Sequence, residues 1–462
     1  MDTAKLRRRD GSALSHDSIE TFRNGFHGQV ILPGDAGYDA ARRIWNAQID
    51  RRPSLIVRCA GVADIVAAVN FARAENVLLA VRSGGHNVAG RALCHGGMVI
   101  DLSGLRGVFV DPERRTVRVQ AGATLGDVDR ETHLHGLAVP TGVVSRTGIA
   151  GLTLGGGVGW LVRRYGLTCE VVTAAGEVVT ASAEQNPDLF WGLRGGGGNF
   201  GIVASFLFQA HPVRTVLGGL LIYPRDQAAA LLRHYRRVMA EAPDELTAYA
   251  GFLTTPDGAA AVGLIVCHCG DPAEGQRAVA ALRAFSLPMV DAVQPMPFPA
   301  MQRVLDDAFP DGTHNYWKST FLQALTDEAI DLVIEHADRM TSPMSAVVVG
   351  LYSGAASRVR PDDTAFAFRH AQFNVGLMAQ WRDGAESARH IAWARQAWEA
   401  LQPFSSGGYM GNFASEEVPE AVQRAFGSNH ARLARLKAKY DPANLFSLNQ
   451  NILPAADSVA PL

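Results

Sequence analysis

The chain has little of what marks several large protein classes. Its five cysteines, Cys59, Cys94, Cys169, Cys267 and Cys269, are an odd number, spaced as neither a disulfide framework nor a zinc site, so reduced thiols are expected. Cys267-His268-Cys269 has a metal-like composition, but it ends the apolar run Ala261 to Val266. Strand alternation there turns the two cysteines to one face and His268 to the other, and no metal is expected. No uninterrupted apolar segment approaches the ~20 residues of a membrane span, so no membrane partner is expected. Charge of one sign is also lacking, because 43 basic and 45 acidic residues leave a formal net charge of −2. With Arg7-Arg8-Arg9 as its one short basic cluster, the chain does not carry the footprint of a nucleic-acid-binding protein. Asp10 and a polar stretch follow those arginines where an export signal needs an apolar core, which makes a cytoplasmic location the expectation. There is no heptad run, solenoid period or low-complexity linker.

What the chain does have is length and apolar residues. At 462 residues, 47% of them hydrophobic, it exceeds one ordinary core, and two domains are expected. After a polar N-terminal arm, Leu55 to Cys59 reads as a strand. Val62, Ile65, Val66 and Val69 then recur at helical spacing, and the apolar run Val77 to Val81 follows, giving a strand, helix, strand unit. Further strands are expected at Met98 to Leu102, Thr116 to Gln120 and Val171 to Thr173, with a helix from Leu125 to His135. From Val213 the texture changes: runs at Leu220 to Tyr223, Ala261 to Val266, Ala346 to Tyr352 and Val375 to Trp381 alternate with charged helical stretches. That pattern predicts an α+β fold whose second domain is built on an antiparallel sheet. The segment from about Phe413 is helical and polar, then reaches Asn449-Gln450-Asn451-Ile452, and is expected to return to the first domain.

Glycine carries the chemistry. Arg82-Ser83-Gly84-Gly85-His86-Asn87 lies directly behind an apolar strand, where ligands of open α/β sheets sit. Two glycines let consecutive N–H groups converge on an anion, and His86 adds a nitrogen able to make a covalent bond. The stretch Gly148 to Trp160 contains Gly151, Gly155, Gly156, Gly157 and Gly159. It is too glycine-rich for a buried helix or strand and is expected to thread past a cofactor with its N–H groups turned to phosphate. Gly196-x-Gly198-x-x-Gly201 satisfies the dinucleotide-binding pattern, but Ile202 to Phe208 reads as a strand where that motif must open a helix, which argues against a nicotinamide cofactor.

These motifs together with Asn186-Pro187-Asp188-Leu189-Phe190-Trp191, Arg194 to Ile202 and the tail Tyr440-Asp441-Pro442 to Ile452 resemble the berberine-bridge-enzyme-like FAD-linked oxidases of the vanillyl-alcohol oxidase and p-cresol methylhydroxylase superfamily. The resemblance implies an α+β, two-domain flavoprotein. Its parts would be an arm over residues 1–50, a PCMH-type FAD-binding domain over 51–212, a substrate domain over 213–408, and a C-terminal segment over 409–462 that completes the flavin site. It implies FAD attached through His86, and cofactor contacts from Arg82, Ser83, Gly84, Gly85, Asn87, Gly148, Gly151, Gly155, Gly156, Gly157, Gly159, Trp160, Ile202, Asn412, Asn449 and Asn451. Some relatives add a cysteine link where this chain has Val144, so a single attachment is expected. Tyr409 resembles a tyrosine that serves as base in some relatives, while Tyr352 is read as core packing on a strand with the substrate site as its alternative. The implied reaction is hydride transfer from an alcohol or amine carbon of a small molecule to flavin N5, with dioxygen as acceptor. A dehydrogenase of the same fold and a flavin-binding protein without catalysis remain as alternatives. The second is favoured by a departure from the family, which usually has about half a dozen more residues where Tyr165-Gly166-Leu167-Thr168-Cys169 here runs straight into Glu170-Val171-Val172-Thr173.

Overall fold

The computed structural model describes residues 6–165, 171–174, 178–370, 373–415 and 419–456. Its first sheet contains β1 (Gln29–Ile31), β2 (Leu55–Arg58), β3 (Leu79–Arg82) and β4 (Met98–Asp101) in the order β1-β2-β4-β3. β2 and β3 both run parallel to β4. The helix Val62–Ala74 makes the crossover, burying Ile65, Ala68, Val69 and Ala72. The expected strand, helix, strand unit is therefore present, although its second strand starts two residues after Val77.

Next come β5 (Val108–Asp111), β6 (Thr116–Gln120), β7 (Leu137–Ala138), β8 (Val171–Ala174), β9 (Val178–Ala181), β10 (Ile202–Gln209) and β11 (His211–Pro212). Five of them form a second sheet in the order β5-β6-β10-β8-β9, while β7 and β11 pair as a short ribbon. Ile202 opens β10 as a strand, so the nearby glycine pattern does not lead into a helix. Between these strands lies the helix Leu125–His133, started by a capping box between Thr124 and Asp127 and ending two residues short of His135.

The third sheet is the largest. It comprises β12 (Thr215–Pro224), β13 (Leu246–Thr254), β14 (Ala260–His268), β15 (Val290–Asp291), β16 (Gln294–Pro297), β17 (His314–Leu322), β18 (Ala346–Leu351) and β19 (Phe373–Trp381). The order is β15-β12-β14-β13-β18-β19-β17, with β16 also on β12, and every pairing is antiparallel. Leu231 and Tyr235 from one helix, Val333 from a second and Trp393 from a third pack on one face of this sheet with Leu264, Val349 and Leu377. The opposite face turns toward the first two sheets and encloses the site.

The N-terminal arm, polar in composition, is anchored by Leu6, Leu14 and Phe26, which are buried in the same core as Leu55 and Val69. One reading from sequence needs correction. The Gly148 to Trp160 stretch does contain a buried helix, Ile149–Leu154, with Ile149, Ala150, Thr153 and Leu154 inward. Only Gly151 interrupts those six residues; the glycine excess begins at Gly155, where the helix stops and Gly156 and Gly157 take φ of 121° and 57°. From the tail, Leu433, Leu436, Phe446 and Ile452 join the first core.

Candidate active site

The loop 83–87 leaves the carboxyl end of β3 and packs backbone to backbone against the start of the glycine-rich stretch. A Cβ placed on Gly84 would lie 2.5 Å from Gly148 Cα and 2.6 Å from its nitrogen, so only glycine permits this approach. Gly85 adds a φ of 67°, and the Ser83 hydroxyl donates to Ala121 O at 2.5 Å. Arg82 is a strut beneath the loop: its guanidinium donates to Ala41 O and stands 3.8 Å from the fully buried Asp101 carboxylate.

His86 is the reactive-looking group. Its ring stacks on Trp45 at 4.3 Å between centroids and 14° between planes, and Trp45 is fixed in turn by its indole N–H donating to Phe309 O at 3.0 Å. Burial pushes the imidazole down to about 4, helped by the nearby Arg146 guanidinium and opposed by Asp306. It is therefore neutral at physiological pH. Its buried Nε2 has no hydrogen-bond partner among the described residues, a state that buried polar atoms rarely keep without a ligand.

A clamp holds the next wall in place. Ser145 donates to the Asp306 carboxylate from its backbone N at 2.8 Å and its hydroxyl at 2.5 Å. Arg146 reaches across to Asp306 O and Phe309 O. From the tail, Asn449 Nδ2 donates to Gly198 O at 3.1 Å, and its buried Oδ1 lacks a partner among the described residues. Asn412 donates to Leu152 O at 3.2 Å.

These walls enclose a cavity of about 660 Å³, which falls in the range of small-molecule and cofactor pockets. All of Ser83, Gly84, Gly85, His86 and Asn87 line it. So do Gly148, Gly151 and Gly155 from the second glycine segment, and Ile202, Asn412 and Asn449 from later in the chain. Val144 lines it too and offers no nucleophile.

Other residues named from the sequence lie off that wall. Arg82, Gly156, Gly157, Gly159, Trp160 and Asn451 are absent from the cavity wall. Gly159 instead permits a close backbone crossing, since a Cβ there would lie 2.1 Å from Thr141 O, and Trp160 is buried against Tyr249. Tyr409 is likewise absent from the wall and packs with Ala414, Ala421 and Ala425. Tyr352, read first as core packing, does line the cavity, together with Tyr249 and Asn374 from the large sheet. Burial raises both phenols above the ordinary tyrosine value. Sequence reasoning missed Tyr249, Trp45 and Asp306, which sit in ordinary strand, arm and turn contexts. The shortened connection at residues 166–170 lies outside the described residues.

A family model described as an FAD binding domain matches residues 53–185, and one described as berberine and berberine like matches 409–453. The chain is 31% identical to (R)-6-hydroxynicotine oxidase of Paenarthrobacter nicotinovorans over 92% of this chain and 97% of that protein. The chain belongs to the berberine-bridge-like FAD-linked oxidoreductases. It is also 30% identical to an FAD-linked oxidoreductase of Bacillus subtilis (strain 168), over 94% of this chain and 98% of that one. Among solved structures, 6-hydroxy-D-nicotine oxidase from Arthrobacter nicotinovorans matches with a TM-score of 0.84 at 29% identity, covering 93% of this chain and 98% of the other. Chitooligosaccharide oxidase matches with the same TM-score at 23% identity, over 95% of this chain and 100% of the other, a likeness of fold alone.

The site fits FAD on its own geometry. Glycine backbone without side chains forms the wall at Gly84, Gly85, Gly148 and Gly198. The buried atoms His86 Nε2 and Asn449 Oδ1, both on residues of that wall, have no protein partner among the described residues. A large ligand carrying polar edges satisfies both requirements. No helix among the described residues is long and apolar enough to cross a membrane.

Proposed function

We propose that this FAD-linked oxidoreductase oxidises an alcohol or amine carbon of a small molecule, with one covalent link to FAD through His86 and with dioxygen as the final acceptor. The observation that carries the reading is a neutral imidazole with a partnerless nitrogen at the edge of a cavity whose far wall is the large antiparallel sheet. When bound, FAD supplies a hydride acceptor at N5. The chain's own residues do the rest. Trp45 fixes the plane of the His86 ring, Asn449 and Asn412 hold the tail and the glycine stretch together, and Val144 leaves no second attachment point. The domain division at 51–212, 213–408 and 409–462 is part of the proposal. So is a cytoplasmic location, which four buried thiols support.

Tyr352 is the proposed substrate contact. Its phenol stays protonated at neutral pH because burial raises it, so it donates a hydrogen bond to the substrate oxygen or nitrogen and orients the reacting carbon; it does not serve as a resting base. A neutral hydrogen bond of this kind is worth about 0.5–1.5 kcal/mol. Tyr352→Phe should therefore slow anaerobic flavin reduction about fivefold to tenfold, by the same hydrogen-bond magnitude, whereas Tyr409→Phe should leave it unchanged. Stopped-flow bleaching of the flavin band distinguishes them, and the opposite pattern would return the role to Tyr409.

The activity itself is tested by mixing the purified flavoprotein with small alcohols and amines without oxygen, then measuring peroxide on admission of air. Bleaching without peroxide would identify a dehydrogenase. A flavin that no alcohol or amine bleaches would indicate a binding protein. For the covalent link, His86→Ala should release its flavin into the supernatant on acid precipitation while the parent retains it in the pellet. Equal release from both would remove the attachment.

A further inference from the structure

The cavity wall contributed by the large sheet has an unusual floor. Strand register places Ile222, Gly263, Gly251, Val348 and Gly376 side by side across β12, β14, β13, β18 and β19. All five line the cavity, and three of them are glycines. Neighbouring strands lie about 4.8 Å apart, so the adjacent Gly263 and Gly251 open a bare strip of backbone roughly 10 Å across. On one side of the row, Ile265, Tyr249 and Asn374 stand two residues away along their strands. Leu253, Ala346 and Met378 do so on the other, and these six also line the cavity. Side chains on one face of a sheet alternate with a period of two, so these are the immediate walls of a trough.

Folding does not require the floor to be bare at every position. Neither Gly251 nor Gly376 has a positive φ. A Cβ on Gly251 would meet nothing nearer than Val347 O at 3.9 Å, and one on Gly376 would meet the flexible end of Met378 at 3.2 Å and Val348 O at 3.9 Å. Gly263 differs, because a Cβ there would press on Leu221 O at 2.9 Å. Two of the three glycines therefore leave room that the fold itself does not use.

The chemistry of the walls narrows what fills that room. None of the described side chains that this sheet contributes to the cavity is charged, and the one carboxylate on the cavity wall, Asp307, comes from the turn Asp306–Ala308 before β17, so an ionic group lying on the sheet itself would lose its hydration without a counter-charge from the floor. The polar groups it offers are few and widely spaced. Aliphatic and aromatic side chains with isolated polar points suit a ligand with one or two functional groups, not one rimmed with hydroxyls.

We propose that the glycine-floored trough is the specificity element of this enzyme and that it takes an uncharged planar ring system of about two fused rings, laid face-down across β13 and β14. The inference rests on the proposed oxidase reading in that it names the substrate class for the same cavity. Gly251 and Gly376 set the depth of the trough, and Tyr352 meets the functional group of the ring system at its end.

The test uses probes that cannot be oxidised, so that binding is read apart from turnover. Naphthalene-2-carboxamide presents the planar uncharged surface. Methyl β-cellobioside presents hydroxyls with its anomeric position blocked. Each is titrated into the FAD-loaded protein, and occupancy is followed as perturbation of the flavin absorption band and by calorimetry. The amide is expected to bind at least about tenfold more tightly than the glycoside. Gly251→Val should weaken amide binding by about tenfold or more while flavin content and melting temperature stay at the parent's values. Gly376→Ala, a smaller intrusion, should weaken it by a lesser factor. Glycoside binding as tight as the amide's, or an amide Kd that moves less than about twofold in both variants, would overturn the proposal. Because neither probe reacts, that failure is distinct from failure of the oxidase reading, which would show as a flavin that no alcohol or amine bleaches.

Discussion

Replacing Lys437 by methionine should cost about 3–5 kcal/mol of stability, the usual penalty for removing one partner of a buried ion pair. Lys437 is 0% exposed, and its ammonium donates to Asp441 Oδ2 at 2.6 Å, Asn199 O at 2.8 Å and Phe446 O at 3.0 Å. All three of its protons are thus committed. Asp441 also accepts from the backbone N of Leu445 and Phe446, so the pair folds the tail into the bend that carries Asn449. The Asn199 side chain continues the join, donating to Gln450 O and accepting from Ile452 N. One ammonium therefore connects the glycine loop 195–201 to the segment that closes the cavity. The K437M protein should melt at markedly lower temperature and lose FAD before it unfolds, seen as release of flavin fluorescence ahead of the circular-dichroism transition. Adding Asp441→Asn should recover part of the loss, because the carboxylate left behind is then neutral. Coincident transitions at the parent's temperature would show that the tail is held by its apolar residues alone.

How far the sequence revealed this arrangement depends on the range of the interaction. The crossover unit around Leu55 and Leu79 was legible because parallel strands buried on both faces read as continuous apolar runs. The loop Ser83 to Asn87 was legible as a loop because consecutive glycines behind an apolar strand mark a turn. Lys437 was not, since a lysine four residues before an aspartate on a helix ordinarily marks a solvated pair, and only the returning tail buries it. Tyr352 and Tyr409 could not be told apart from sequence for a related reason. Each sits beside glycines in a short motif, and which ring faces the cavity is decided by how the end of β18 and the loop after the helix Ser387–Leu401 pack, information absent from either local sequence. Trp45 was hidden by the polar composition of the arm. The glycine row under the substrate cavity escaped because its members come from separate strands and meet only through register.

Gly84→Ala should be the most damaging single methyl group in the cofactor cradle. Residue 84 does not have a positive φ, so alanine adds no backbone strain, and the whole effect comes from the collision with Gly148 Cα and N at 2.5 and 2.6 Å. Neither contact atom belongs to a side chain that can rotate away. The loops carrying His86 and Ile149 must separate, at a cost of about 1–3 kcal/mol from overpacking alone. The larger consequence falls on the ligand, since binding and attachment depend on both loops holding their places at once. The variant should purify folded but with its ratio of flavin to protein absorbance reduced by tenfold or more, on the order of the 1.4 kcal/mol per decade that overpacking of this size supplies. Gly151→Ala isolates the cause. A Cβ there meets nothing within 4 Å, so the folded chain has no reason to move, and its residue lines the same cavity. If FAD fills that space, G151A should melt in the cofactor-free state at or slightly above the parent's temperature, because alanine favours the helix Ile149–Leu154, and still lose flavin. If G84A loses stability while both variants stay fully yellow, the contact between the two loops is structural and the cofactor lies elsewhere.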